Sequence, residues 1–220
     1  MILKSFGCSF IFGTDLADDG QNWLYAKGSQ LTWPALIAQD LGYEYQTYAR
    51  PGSGNLQILE RLLAQTASNE PSKFVVGWSY IDRFDFIKKD YEKWPGTPWS
   101  TILPSELNQV NRFYFKHLHS QLHDKLSSLI YAKTAIDVLR QKNIPFVMTY
   151  MDTLMFESQW HCNPAILELQ NYIRPYMTLF DNKTFLEFSQ SCGYPISESM
   201  HPLEEAHAAA AELIKSYNLL

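Results

Sequence analysis

The sequence is poor in the features that mark several protein classes. Its 220 residues contain only three cysteines, Cys8, Cys162 and Cys192, which lie far apart and form no CxxC pair. This usage argues against a disulfide framework and against a zinc site built on paired cysteines. Lys and Arg form no cluster, and the formal net charge is −5. Since nucleic-acid binders usually present a basic face, a nucleic-acid partner is not expected.

Long apolar runs and targeting signals are also lacking. No segment approaches the ~20 uninterrupted apolar residues that a membrane span requires. The amino terminus, MILKSFGCSF, lacks the basic flank and the long apolar stretch of a signal peptide. We therefore expect a cytoplasmic protein without a membrane span. The sequence gives no indication of the oligomeric state.

Apolar residues make up 46% of the chain and charged residues 19%, which is a globular composition. Strand-like apolar segments alternate with segments of helical spacing, and this alternation predicts one three-layer α/β domain over residues 1–220 with about five parallel strands. The predicted strands are Ile2–Gly7, Tyr43–Ala49, Lys73–Ser79, Ile144–Met151 and a short one near Thr178–Asp181. The helical pattern of Ser105–Lys142 would exceed ~50 Å unbroken, so a bend or two helices is expected. Residues 82–104, with three Pro and one Gly, are predicted to form an insertion over one end of the sheet.

Small and polar residues follow the predicted strands where the chain turns. In parallel sheets, reactive residues collect at the carboxyl ends of the strands. Ser9 could act there as a nucleophile, with His201 as its base and Glu198, three residues earlier, reaching the imidazole Nδ1. Gly52 would let a backbone N–H approach a developing oxyanion without interference from a side chain.

Four short motifs resemble the conserved blocks of the SGNH, or GDSL-like, hydrolases. They are Gly7-Cys8-Ser9-Phe10, Arg50-Pro51-Gly52-Ser53-Gly54-Asn55, Phe74-Val75-Val76-Gly77-Trp78-Ser79 and Glu198-x-x-His201-Pro202, in the family's order. The resemblance implies a flavodoxin-like α/β/α fold, a Ser9–His201–Glu198 triad, and ester hydrolysis through an acyl-enzyme that needs no metal or organic cofactor. It implies a small-molecule or glycan ester as substrate, with a short acyl group such as O-acetyl on a carbohydrate favoured.

Two positions depart from the family pattern. Ser79 stands where the family has an asparagine that donates to the oxyanion, so either the Ser79 hydroxyl or nearby Asn55 is expected to take that role. Glu198 stands where the family has Asp. The stretch from Ser79 to Arg83 also resembles a variant branch among phage-encoded members.

Other interpretations of the same residues stay open. Ser9 and Asn55 could be helix N-caps, and three histidines, His117, His119 and His123, superficially resemble a metal cluster but fit a solvated helix face better. Aromatic residues in polar segments could stack on sugars or cap the core: Trp23, Tyr25, Trp94, Trp99 and Trp160. The alternative function is a non-catalytic glycan- or partner-binding module on the same fold.

Overall fold

A computed structural model describes residues 1–19, 27–68, 70–89, 98–106, 108–161 and 163–219. In chain order its elements are β1 (Ile2–Phe6), α1 (Ser9–Phe12), α2 (Trp33–Asp40), β2 (Glu44–Thr47), α3 (Asn55–Gln65), β3 (Ser72–Trp78), β4 (Phe84–Ile87), β5 (Trp99–Ile102), α4 (Gln109–His117), α5 (Gln121–Gln141), β6 (Phe146–Tyr150), α6 (Pro164–Ile173), α7 (Phe185–Ser191) and α8 (Glu204–Ser216). Short 3-10 turns cover Thr153–Met155 and Arg174–Tyr176.

Within the described residues, the central sheet has four parallel strands in the order β2-β1-β3-β6. The fifth strand expected near Thr178 is reduced to one parallel bridge between Met148 and Met177. In this bridge the Thr178 N–H donates to the Met148 carbonyl at 2.7 Å. The predicted α/β fold with a parallel sheet is therefore confirmed, and its edge is shorter than expected.

Successive residues of the central strands supply two different cores. On β3, Val75 packs with α2 and α8, whereas Phe74 and Val76 pack against α3, α5 and α6 on the opposite face. This follows from the alternation of side chains along a strand, and it explains why β3 is apolar throughout: both of its faces are covered by helices. The result is the three-layer arrangement that the sequence predicts.

The long helical pattern is divided, as expected. Helix α4 ends at His117, and α5 begins at Gln121 after Ser120, whose side chain accepts the His123 N–H as an N-cap. The insertion contains an antiparallel hairpin of β4 and β5, in which Phe84 pairs with Ile102 and Ile87 with Trp99. No helix in the described part of the chain is long and apolar enough to cross a membrane.

Candidate active site

Ser9 is held at the carboxyl end of β1 by a very short helix. Two glycines, Gly7 after β1 and Gly77 near the end of β3, make room for Ile11 of α1. A Cβ atom added at either glycine would lie 2.6 Å from Ile11 Cγ1. Since real Cβ contacts do not come so close, both glycines are needed for α1 to pack directly on the sheet. Gly7 of the first motif is thus explained by packing.

The nucleophile and base that the sequence predicts lie within hydrogen-bond distance. Ser9 Oγ is 2.9 Å from His201 Nε2, although 192 positions separate the two residues. Ser9 is the first residue of α1, and its N-cap is Cys8, so the N-cap interpretation of Ser9 does not apply. The rings of Phe10 and His201 pack edge to face with centroids 5.3 Å apart, and this contact helps to fix the imidazole.

The carboxylate beside His201 belongs to Asp15. Its Oδ2 atom is 2.7 Å from His201 Nδ1 and accepts hydrogen bonds from the Ser197 hydroxyl, at 2.7 Å, and from the Ser199 hydroxyl. These contacts, with that of Ser199 the largest, outweigh partial desolvation and lower the pKa of Asp15 from 3.8 to about 2. Asp15 is therefore ionised at neutral pH, which favours the tautomer with the proton on Nδ1 and leaves Nε2 free to accept from Ser9.

Glu198, which the sequence analysis placed at Nδ1, lies elsewhere in this structure. Its side chain is exposed and makes no hydrogen bond or ion pair with the described residues. The turn explains its position: the Ser197 N–H donates to the His201 carbonyl at 2.9 Å, and Met200 adopts a left-handed φ of 68°. This turn brings the hydroxyls of Ser197 and Ser199 to Asp15 and leaves Glu198 in solvent.

Some backbone N–H groups around Ser9 have no acceptor among the described residues. They include those of Ser9 itself, at the start of α1, and of Gly52 in the turn before α3. Gly52 adopts a φ of 77°, which a residue with a side chain rarely tolerates. The Arg50 N–H donates to the Gly7 carbonyl at 3.1 Å and fastens this turn beside β1.

Asn55 and Ser79 bind each other. Asn55 Oδ1 accepts the Ser79 N–H at 2.7 Å, and its Nδ2 donates to the Ser79 carbonyl and to Ser128 Oγ at 3.3 and 3.0 Å. Asn55 is the first residue of α3 and not its N-cap, which is Gly54. The Ser79 hydroxyl is fully buried and has no hydrogen-bond partner in the described part of the chain. Of these two side chains, only Ser79 therefore has a hydrogen-bond donor without an acceptor among the described residues.

The remaining candidates from the sequence lie apart from this site or outside the described residues. His119 pairs with Asp124 (Nε2 to Oδ2, 3.0 Å), and the described residues contain no group of three or more potential ligands for a metal. Trp160 is 46% exposed, while Trp99 lies partly buried in β5. Three of the aromatics proposed for sugar stacking fall outside the described residues: Trp23, Tyr25 and Trp94.

Two grooves lie at the opposite end of the sheet. Both are lined by the segment Asn143–Pro145, which precedes β6, and one also by Met1 and Pro71, which precede β1 and β3. Because parallel strands place their carboxyl ends together, these grooves are separated from Ser9 by the length of the strands. They are not part of the site described above.

Comparisons with known proteins agree with the fold. No protein-family model matches the sequence, and no curated protein matches it either. Among solved structures, the chain is similar to a member of the lipolytic protein G-D-S-L family from Veillonella parvula DSM 2008, with a TM-score of 0.54, 13% identity and full coverage of both chains. It is also similar to the psychrotrophic esterase EstA from Pseudoalteromonas sp., with a TM-score of 0.54, 10% identity, and coverage of 99% of this chain and 98% of that one. The chain thus has the SGNH hydrolase fold.

Proposed function

We propose that this protein is a serine hydrolase that cleaves acyl esters with a Ser9–His201–Asp15 triad. The observation that carries the proposal is the continuous contact from Ser9 Oγ through His201 to Asp15, at 2.9 and 2.7 Å. A serine hydroxyl is a weak nucleophile unless a base takes its proton, and the base needs a third group that fixes its tautomer. The hydrolase fold supports the same conclusion.

In the proposed reaction, Ser9 Oγ attacks the ester carbonyl while its proton passes to His201 Nε2. Asp15 stabilises the imidazolium that forms. His201 then gives the proton to the departing alkoxide, and an acyl-enzyme remains on Ser9. Water attacks this intermediate with His201 again as base, which releases the acid and restores the hydroxyl.

The oxyanion would be held by the N–H groups of Ser9 and Gly52, which have no other acceptor among the described residues. The third donor would be the Ser79 hydroxyl, which is buried and has no partner among the described residues and must turn toward the substrate to donate. Asn55 fixes the Ser79 backbone through two hydrogen bonds. Removing one donor from such a hole typically raises the barrier by about 2.7–4 kcal/mol. Glu198 has no role in this scheme.

For the substrate, we propose a short acyl ester such as an O-acetyl group on a carbohydrate. This choice rests on the resemblance of the sequence motifs and on exposed aromatic surface such as Trp160. A non-catalytic glycan- or partner-binding module is the second candidate. It is favoured by Ser79, which replaces the family's asparagine and is fully buried in this structure.

A fluorophosphonate probe separates the two candidates, since covalent capture requires an activated serine. EstA, one of the proteins with the same fold, is described as inhibited by monoethylphosphonate. We expect the wild type to be labelled on the peptide that contains Ser9, and Ser9→Ala and His201→Ala to remain unlabelled. Ser191→Ala, which removes an exposed serine, is the control and should label like the wild type.

Activity is then measured on p-nitrophenyl esters of increasing acyl length. Turnover of the acetate ester that both triad variants abolish would support the proposed reaction and the short acyl group. An unlabelled wild type that is no faster than Ser9→Ala on every ester would refute catalysis and leave the binding module.

A further inference from the structure

Helix α3 follows the turn of residues 50–53 that carries Gly52 (the oxyanion turn). The helix has no N-cap side chain of its own. The residue at that position is Gly54, and the missing cap comes from Asp85 in β4 of the insertion hairpin. Asp85 Oδ1 accepts the Gly54 N–H and Oδ2 accepts the Gln57 N–H, both at 3.0 Å. Gln57 is the third residue of α3, and its N–H is one that an N-cap side chain ordinarily satisfies. A carboxylate here also complements the positive end of the helix.

Asp85 is itself held in place on both sides. The carboxylate is 7% exposed. Besides the two backbone groups, its Oδ1 accepts from Gln57 Nε2 at 2.8 Å and from Thr101 Oγ1 of β5 at 2.7 Å. With four donors around it, the buried carboxylate has a single orientation, and that orientation fixes the hairpin against the start of α3.

The close approach requires glycine at position 54. A Cβ atom there would lie 2.6 Å from Asp85 Oδ2 and 2.8 Å from the Arg83 carbonyl. Gly54 has a φ of −87°, which any residue can adopt, so the glycine is needed for space and not for conformation. Arg83 makes a further contact, from Nη1 to the Ser53 carbonyl at 3.1 Å. The hairpin and the residue just before it therefore contact both residues that directly follow Gly52.

From these contacts we infer that Asp85 is a positioning residue for the oxyanion turn, and that the insertion hairpin sets the place of the Gly52 N–H. The inference rests on the proposed function, in which that N–H binds the oxyanion. Oxyanion donors act only within a narrow range of distance from the reacting oxygen, so a small shift of the turn should lower turnover. The triad lies on other segments and should be unaffected.

The test compares Asp85→Asn with Asn163→Ala. Asparagine keeps the size of Asp85 but turns one acceptor into a donor, which faces donors already in place. Asn163 caps α6 in the same way, with Oδ1 accepting the Ile166 N–H at 2.9 Å, and belongs to another helix. We expect Asp85→Asn to lower kcat on p-nitrophenyl acetate at least 10-fold, with a smaller change in KM and an unchanged pH dependence of kcat/KM. Asn163→Ala should leave kcat within about twofold at a comparable loss in melting temperature.

Hydrogen exchange gives a readout that does not depend on activity. In Asp85→Asn, and in the milder Thr101→Val if the first variant does not fold, deuterium uptake of residues 50–57 should rise while that of residues 9–15 stays unchanged. Unchanged uptake at 50–57, or kcat lowered no more than in Asn163→Ala, would overturn the inference. A wild type that is neither labelled nor active would refute the proposed function and the catalytic consequence. Raised deuterium uptake of residues 50–57 in Asp85→Asn would still support the role of Asp85 in positioning the oxyanion turn.

Discussion

Replacing Asp15 with Asn should show which carboxylate supports His201. The substitution keeps the size of the side chain and removes the charge 2.7 Å from Nδ1. Asn could also present its amide N–H to Nδ1 and so favour the tautomer that carries the proton on Nε2, where it blocks proton transfer from Ser9. Both effects act on the step that forms the imidazolium, so kcat should fall more than KM changes.

The size of the effect follows from the position of the charge. Two unit charges ~4 Å apart interact by about 4 kcal/mol at an effective dielectric constant of 20 and by about 1 kcal/mol in bulk water. The Asp15 side chain is 35% exposed and that of His201 is 14% exposed, which places the pair between these limits. A loss of about 2–3 kcal/mol corresponds to kcat lowered roughly 30- to 200-fold. This is less than the ~10⁴-fold loss known for a buried triad aspartate.

The matched control is Glu198→Gln, which removes the exposed carboxylate named by the sequence motif. It should change kcat less than about twofold. Steady-state hydrolysis of p-nitrophenyl acetate by the two variants and the wild type, with fluorophosphonate labelling rates beside it, decides the question. If Glu198→Gln were the more damaging change, or if Asp15→Asn kept kcat within threefold of the wild type, the assignment of Asp15 would be refuted.

Three further predictions concern the surroundings of the triad. Ser79→Ala should lower kcat roughly 100-fold if its hydroxyl is the third oxyanion donor, while the melting temperature stays or rises because the hydroxyl has no partner among the described residues; kcat within twofold would leave only the backbone donors. Gly77→Ala should cost about 1–3 kcal/mol in urea unfolding, since the added methyl collides with Ile11, and a loss below 0.5 kcal/mol, roughly a surface effect, would contradict that packing. Burial lowers the pKa of His207 from 6.5 to about 3, so the unfolded chain binds a proton that the folded one does not. The free energy of unfolding should then fall by about 1.4 kcal/mol for each unit by which the pH is lowered from ~6 to ~4. His207→Asn, which keeps an acceptor for the Trp33 N–H, should remove that part of the pH dependence.

The fold was predictable because its signals are local or periodic. The apolar run of β3 and the helical spacing within α5 depend on neighbours a few positions away, and both elements lie where the sequence analysis placed them. The prediction of a fifth strand near Thr178 was wrong because a strand is stable only through its pairing with a neighbour. The described residues near Thr178 form a single bridge to β6, and no pattern in that short segment sets the length of the pairing.

The same distinction explains the site. Ser9 closely follows the end of β1, His201 lies shortly before the start of α8, and each belongs to a motif; the structure brings the two side chains together. Asp15 carries no such signal: it is one of three aspartates, with Asp18 and Asp19, in a polar segment after α1. What distinguishes Asp15 from the other two aspartates is its contact with His201, which lies 186 positions away in the sequence. The cap of α3 by Asp85 is equally invisible in the sequence, because the glycine at the N-cap position hides the fact that a cap exists.

The placement of the acid also has a consequence for the site as a whole. With Asp15 as the third member, nucleophile and acid lie six positions apart on one segment, and only His201 comes from the far end of the chain. Ala17 N–H donates to Glu204 Oε1 of α8 at 2.8 Å, so the Asp15 segment is also tied to the helix that follows His201. Ser9 and Asp15, the two triad partners of the imidazole, thus lie on one segment, and that segment is joined to the start of α8. The proposed triad therefore draws on two segments, residues 9–17 and 201–204, whereas the oxyanion turn is held separately, by Asp85 of the insertion hairpin.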